Sequence, residues 1–423
     1  MKQSFYIRNW KWFVLGTLFL VTFICYFDRQ MIGTAIDPIA KEFGLDNIQI
    51  GILLSAFLIS YAIGHVFIGL FIDFIRNIRI FFMIMVLGWS VTTMFIFTVK
   101  DYSTLLWLRY LLGIWEAVNF PICLMIISRI FPANERSLAV GIFASGASIA
   151  TLLVPPFVVF ISNTLNWRYA FGLGGAASLL WIIPWLIIFR KPEEKIEQWN
   201  NYYTSLTPRT SLLLNLKNSI NGYFEVLSKP GFWGVVLLGI GITPSLYFAT
   251  QWLPRFLTQS FDIPYDQSLS AKLSIIYFMQ DAGLWIGGAL VLILAGKGLS
   301  VMNSRKIVMV IAFLAIISNL FVPFVQSVQG CVIALCINVF GIGAFLGNQH
   351  AFKQDLVKGK VAAVAALDGF IEMVFTWFFI KKIGVITEVS GDFTIVFMIM
   401  AALAFFSISV VFLFLKPKWV VIS

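Results

Sequence analysis

KWFVLGTLFLVTFICYFDRQMIG, residues 11–33, decides how the rest of the chain is read. Its apolar run is long enough to cross a bilayer, which takes roughly 20 residues in a helix. It ends not in a small-residue cleavage site, as a secretory signal would, but in an adjacent acid and base, Asp28 and Arg29. The same texture continues through all 423 residues: 60% are hydrophobic and only 12% are charged, far from the usage of a soluble domain. The chain is therefore expected to be an all-α integral membrane protein.

Twelve apolar segments can be placed, beginning near Trp12, Ile48, Ile80, Leu105, Leu138, Tyr169, Phe232, Lys272, Lys306, Gly330, Val361 and Phe393. One long polar insertion divides them, giving an N-terminal six-helix bundle over 1–190, a linker over 191–230 and a C-terminal six-helix bundle over 231–423. Lys and Arg concentrate on the side shared by both termini and the linker, including Arg190, Lys191, Lys195, Arg209, Lys217 and Lys229, which predicts a cytoplasmic location for all three. Six plus six helices with a long middle loop is the layout of transporters that bind substrate near the midplane between two repeated bundles.

The net charge of +10 would suggest nucleic-acid binding in a soluble protein, but here it follows membrane orientation and no nucleic-acid partner is expected. Cys25, Cys123, Cys331 and Cys336 lie in apolar stretches without metal-ligand spacing and read as small hydrophobes. No phosphate-binding loop, zinc-hydrolase motif or nucleophile elbow is present, so no metal, cofactor or enzymatic activity is expected. Gly141, Gly146, Gly174, Gly175, Gly287 and Gly288 read as sites of close helix approach.

Charges inside apolar segments carry the functional signal, because each costs about 2.5–3.5 kcal/mol on insertion scales and so faces a cavity or a partner. In the first half these are Asp28 and Arg29, Arg109 and Glu116, with His65 as a further polar group. Arg109 and Glu116, seven residues apart, share a helical face, as do Tyr26 and Arg29. Two guanidiniums that keep their protons would balance two carboxylates that need not. Protonating Asp28 or Glu116 then frees an arginine to hold a substrate carboxylate in a two-pronged grip. The competing reading is that the pairs only join helices, and Arg109 alone could reach an interface. In the second half, Asp281, His350, Asp368 and Glu372 stand in apolar surroundings; Asp281, Asp368 and Glu372 are possible additional proton sites or structural ion-pair partners, and His350 leans to the pocket.

These motifs resemble the major facilitator superfamily, in particular its anion:cation symporter branch, which includes bacterial hexuronate, galactonate and glucarate permeases and sialin-type organic anion transporters. Tyr26, Asp28 and Arg29 stand as in the branch's Y-x-D-R motif; SAFLISYAIGHVFIGLFID, RYLLGIWEAVNFP, FPANERSLAVGIFASG and NWRYAF follow its patterns through the sixth segment. By resemblance, Arg29 is the substrate-carboxylate ligand, Asp28 and Glu116 are the proton-coupling acids, and Arg109 is their partner. Asn119 follows on the same face, and Tyr247 before Trp252-Leu253-Pro254 faces the cavity. Gln349 and His350 align with a Gln-Trp pair that lines the sugar-acid pocket. The chain departs from the branch where Asp73 is followed by FIRNIR, which shifts a gating contact to Arg76 and Arg79. It departs again at His65, where Gln is common, and around Phe370, where an Asn is usual.

The resemblance implies proton-coupled symport of an organic anion, such as a sugar acid, by alternating access in a monomer of the bacterial inner membrane. The alternatives are transport or export of a larger polycarboxylate, such as a siderophore-like metal chelator, and a transport-inactive nutrient sensor.

Overall fold

The computed structural model describes residues 5–71, 75, 77–188, 212–355 and 361–414, and among them helices account for all regular structure. Asp73, Arg76 and residues 191–211 of the expected linker lie outside the described residues. Among the described residues, eleven helices are long and apolar enough to span a bilayer: Asn9–Thr34, Asn47–Phe71, Ile78–Thr98, Tyr102–Ile130, Leu138–Thr164, Trp167–Ile188, Pro230–Gln251, Gln267–Gly296, Val301–Phe324, Val328–His350 and Thr394–Leu413. A twelfth helix of 30 residues, Val361–Ser390, packs along Asn47–Phe71 and carries Asp368, Glu372, Lys381 and Lys382. In chain order these are spans 1 to 12, with Val361–Ser390 as span 11.

The packing repeats between the halves. Span 1 packs on 5 and 6, 2 on 4, and 3 on 4 and 6; span 7 packs on 11 and 12, 8 on 10, and 9 on 10 and 12. Adding six to each number in the first set gives the second, so the repeat is spatial even where the residues show none. The halves meet through spans 2 and 11, 5 and 8, and 1 and 7. From the expected linker, Leu212–Leu227 forms a helix that touches spans 2 and 11.

Local chemistry sets the breaks. Span 4 divides into Tyr102–Glu116 and Asn119–Ile130. Pro121 has no N–H to offer the carbonyl four residues back, and the helix opens there, immediately after Glu116. Span 8 starts at Gln267, five residues before the expected Lys272, because Asp266 accepts from the N–H groups of Ser268 and Leu269 and caps the helix. At the start of span 6, Trp167 Nε1 and Arg168 Nη1 both donate to Glu42 at 2.7 Å. These donors, Arg168 first, hold the Glu42 carboxyl below its ordinary range.

Of the glycines expected at close approaches, Gly146 faces Phe19, Gly174 faces Met31 and Asp28, Gly175 faces Ser90 and Met94, and Gly287 faces Ala344. Gly141 and Gly288 instead face open space, so they are not packing contacts. The tightest approaches between halves are at other glycines. They lie toward the far face, opposite the one where the chain enters span 1. Gly33 lies against Thr250 and Gln251, and Gly51 and Gly384 abut each other, with Gly384 also against the Asn47 carbonyl.

Ionic contacts close the same face. Arg255 Nη1 meets Asp37 Oδ1 at 2.9 Å, Thr258 Oγ1 donates to Asp37 Oδ2 at 2.6 Å, and Arg255 Nε donates to Asn47 Oδ1 at 3.0 Å. The Asn47 N–H donates to Glu388 at 3.0 Å. Between spans 5 and 8 the bonds run from Asn163 and Tyr265 through Ser274 and Leu152 to Ser148 and Asp281. Past Asp281, toward the other face, Trp285, Ile286 and Leu292 are exposed.

A side chain at Gly384 would collide with backbone rather than with a movable side-chain tip. Gly384→Leu is expected to hold the far face open. A cysteine placed at Asn47 should then react with a membrane-impermeant maleimide about tenfold faster than in the parent carrying the same cysteine. Unchanged labelling in a folded Gly384→Leu protein would show that the approach does not control closure.

Candidate functional site

Between the halves lies a cavity of about 150 Å³, walled by spans 1, 5, 7 and 8. Tyr26, Arg29, Tyr247 and Asp281 reach it, as do Gln30, Ser148, Thr151, Gln251, Tyr277 and Gln280, which sequence reasoning did not single out. Gln30 Nε2 donates to Thr151 Oγ1 at 2.6 Å, and the Tyr277 hydroxyl donates to the Ala249 carbonyl at 3.0 Å. These polar groups are fixed by other protein atoms before any ligand arrives.

Arg29 forms the charged wall. Its Nε donates to Glu116 Oε2 at 3.1 Å, an ion pair with almost no solvent exposure. The guanidinium carbon lies 4.5 Å from the Tyr26 ring centre, 4.8 Å from Phe57 and 4.4 Å from Tyr61. Those aromatic faces hold the planar cation by quadrupole attraction without consuming its N–H donors. Cys25, one turn before Arg29, is more than a packing residue: its Sγ lies 3.4 Å from Glu116 Oε2 and 3.8 Å from Arg29 Nη2. The four-residue spacing from Arg29 was the available signal for that contact.

Arg109 does not reach an interface. It is fully buried, and Nε and both Nη atoms have no hydrogen-bond partner among the described residues. It lies 5.2 Å from the other ring contact it shares with Arg29, Phe57, behind the cavity wall. The Glu116 Oε1 atom also lacks a hydrogen-bond partner. One acceptor atom and three donor nitrogens are thus buried in one cluster with unfilled capacity, an arrangement that costs stability and is retained at functional sites rather than in packing cores.

The other expected residues are dispersed. Asp28 turns from Arg29 toward Ser178 Oγ, which donates to it at 2.9 Å, with Thr93 beside it. Asn119 Nδ2 donates to Thr22 Oγ1 at 3.3 Å inside the first half. His65 is half-buried with its ring 4.5 Å from Tyr61, on the side chain that also faces Arg29. None of these reaches the cavity wall.

In the second half, Glu372 Oε1 accepts from Gln349 Nε2 at 2.6 Å and Oε2 from Thr243 Oγ1 at 3.2 Å, joining spans 7, 10 and 11. Asp368 is buried one turn earlier. His350 is exposed, while Gln349 beside it is fully buried. Adjacent residues on a helix point about 100° apart, so a register that buries Gln349 turns His350 outward. Among the described residues no group of His, Cys, Asp and Glu could hold a metal ion.

Comparison with known proteins agrees with this architecture. The Major Facilitator Superfamily profile matches residues 18–380. The hexuronate transporter of Escherichia coli is 23% identical over 418 residues, covering 97% of this chain and 95% of that protein. A D-galactonate transporter of Escherichia coli is 26% identical over 311 residues, 70% of each chain. Among solved structures, a D-xylose–proton symporter superposes with a TM-score of 0.76 at 14% identity, covering 97% of this chain and 99% of that one. With the profile covering most of its length and the fold matching end to end, the chain belongs to the Major Facilitator Superfamily, a family of membrane transporters and not of enzymes.

Proposed function

We propose that this protein moves a small organic carboxylate together with protons by alternating access. The observation that carries the reading is Arg29: a cation at the wall of the cavity between the halves, paired on its buried side with Glu116. With Glu116 ionised, the guanidinium is already neutralised. A proton on Glu116 removes that compensation, and the carboxylate of a substrate in the cavity restores it through a charge-assisted pair. Proton and anion then bind together because each removes the other's unfavourable charge. Tyr26 and Tyr247 flank the binding position, and Arg109 holds positive potential behind it. Asp28, bonded to Ser178, serves as a second proton station in the same half.

Both termini are assigned to the cytoplasm of a bacterial inner membrane, with a single chain as the functional unit. The closed far face is then the outer one. Transport requires the Asp37–Arg255 contacts to break and the opposite ends of the halves to close. The sugar-acid transporters among the relatives favour a hydroxylated carboxylate. The cavity, at about 150 Å³, is smaller than the pockets of about 300–1,000 Å³ that hold drug-sized ligands, which disfavours a bulky chelator.

The test is uptake into proteoliposomes under an imposed inward proton gradient, with aldonates, uronates, aldarates and citrate offered in turn. Accumulation of an organic acid that collapses when a protonophore dissipates the gradient is expected. Accumulation indifferent to the protonophore would remove proton coupling, and binding without any transport would favour a sensor.

A further inference from the structure

The cavity is lined by charges of both signs. Arg29 reaches it from span 1, in the first half, and Asp281 reaches it from span 8, in the second. Asp281 Oδ1 accepts from Ser148 Oγ at 2.7 Å across the interface, and its other oxygen has no hydrogen-bond partner among the described residues. The same wall carries neutral donors and acceptors, including Gln30, Thr151, Gln251 and Gln280. A carboxylate is acceptor-only when ionised, so it completes its bonding with a donor and repels a second anion.

Resting on the carboxylate-transport reading above, we propose that Asp281 is a specificity-determining residue that selects monocarboxylates with a hydroxylated far end and rejects dicarboxylates of the same length. Arg29 takes the single carboxylate, and the neutral groups meet hydroxyls along the carbon chain. Asp281 accepts from the last hydroxyls through the oxygen that Ser148 leaves open. An aldarate places a second carboxylate where only a donor is satisfied. Its exclusion is by like-charge juxtaposition, a repulsive element that discriminates between ligands sharing every other group. The cavity thereby separates aldonates and uronates from aldarates, which the Arg29 end alone cannot do.

The experiment is equilibrium binding of D-galactonate, D-glucuronate and D-glucarate to the purified full chain in detergent, comparing wild type, Asp281→Asn and Arg29→Ala. Wild type is expected to bind the better monocarboxylate at least about tenfold tighter than glucarate, a difference Asp281→Asn reduces to within about threefold. Wild type binding glucarate as tightly as the monocarboxylates overturns the proposal without recourse to any variant. An unchanged ratio in folded Asp281→Asn overturns it too, and if Arg29→Ala still abolishes binding of all three, carboxylate recognition stands without Asp281. Failure of wild type to bind any of the three overturns both the assignment and the carboxylate reading beneath it.

Discussion

Arg29→Ala is expected to abolish substrate accumulation in proteoliposomes and to weaken equilibrium binding about 100-fold, corresponding to roughly 3 kcal/mol for a charge-assisted hydrogen-bonded pair. The size follows from the position of the side chain. The guanidinium is clamped among Tyr26, Phe57 and Tyr61, so its orientation is set before substrate arrives and little ordering entropy opposes binding. Arg29→Lys retains the charge but not the planar donor set, and the stacking on three rings is weakened with it. An intermediate loss, on the order of tenfold, is expected there. Removing Arg29 also leaves Glu116 without its buried partner, so thermal stability must be measured beside transport. If Arg29→Ala remains monodisperse, melts near the parent and still accumulates substrate, Arg29 is not the anion ligand.

The second large effect is expected from Glu116→Gln. The amide is nearly isosteric with a protonated acid and its oxygen can still accept from Arg29 Nε, so the cluster keeps its shape while losing a titratable site. Gradient-driven accumulation should fall to background, while exchange of internal for external substrate at equal pH continues at a rate within a few-fold of wild type. The split between two assays on one protein separates coupling from binding, which a folding defect would lower together. Persistence of full accumulation under a proton gradient would transfer the coupling role to Asp28 or to an acid in the second half.

Much of the membrane architecture could be read along the chain because it depends on local properties. A span is a contiguous apolar run, and each of the twelve was visible in sequence, span 11 included despite its charges. The break after Glu116 follows from one proline. Tyr26, Arg29 and Asp281 were named from residue type and position and Tyr247 from the family resemblance, and the fold brings all four to one cavity.

What could not be read were relations between distant segments. Arg255 and Asp37 are 218 positions apart, and nothing near either predicts the other. The polar lining contributed by Gln30, Thr151 and Gln280 consists of residues common at helix interfaces, and only the meeting of the halves shows which face the cavity. Adjacent side chains on a helix point about 100° apart, so a resemblance that names Gln349 and His350 together does not say which of them is buried.

Span 11 has a consequence for how the protein is made. Charged side chains are each penalised by roughly 2.5–3.5 kcal/mol at the centre of an inserting helix, and this helix carries four within Asp368 to Lys382. Its polar partners are synthesised earlier: Thr243 on span 7, Gln349 on span 10, and the whole length of span 2 before either. The order of synthesis thus supplies a receptive surface in the bilayer before this charged segment leaves the ribosome. Translated without the first half, the second half would release that segment with no span 2 to receive it, so the two halves resemble each other in packing but are not equivalent in their ability to enter a membrane alone.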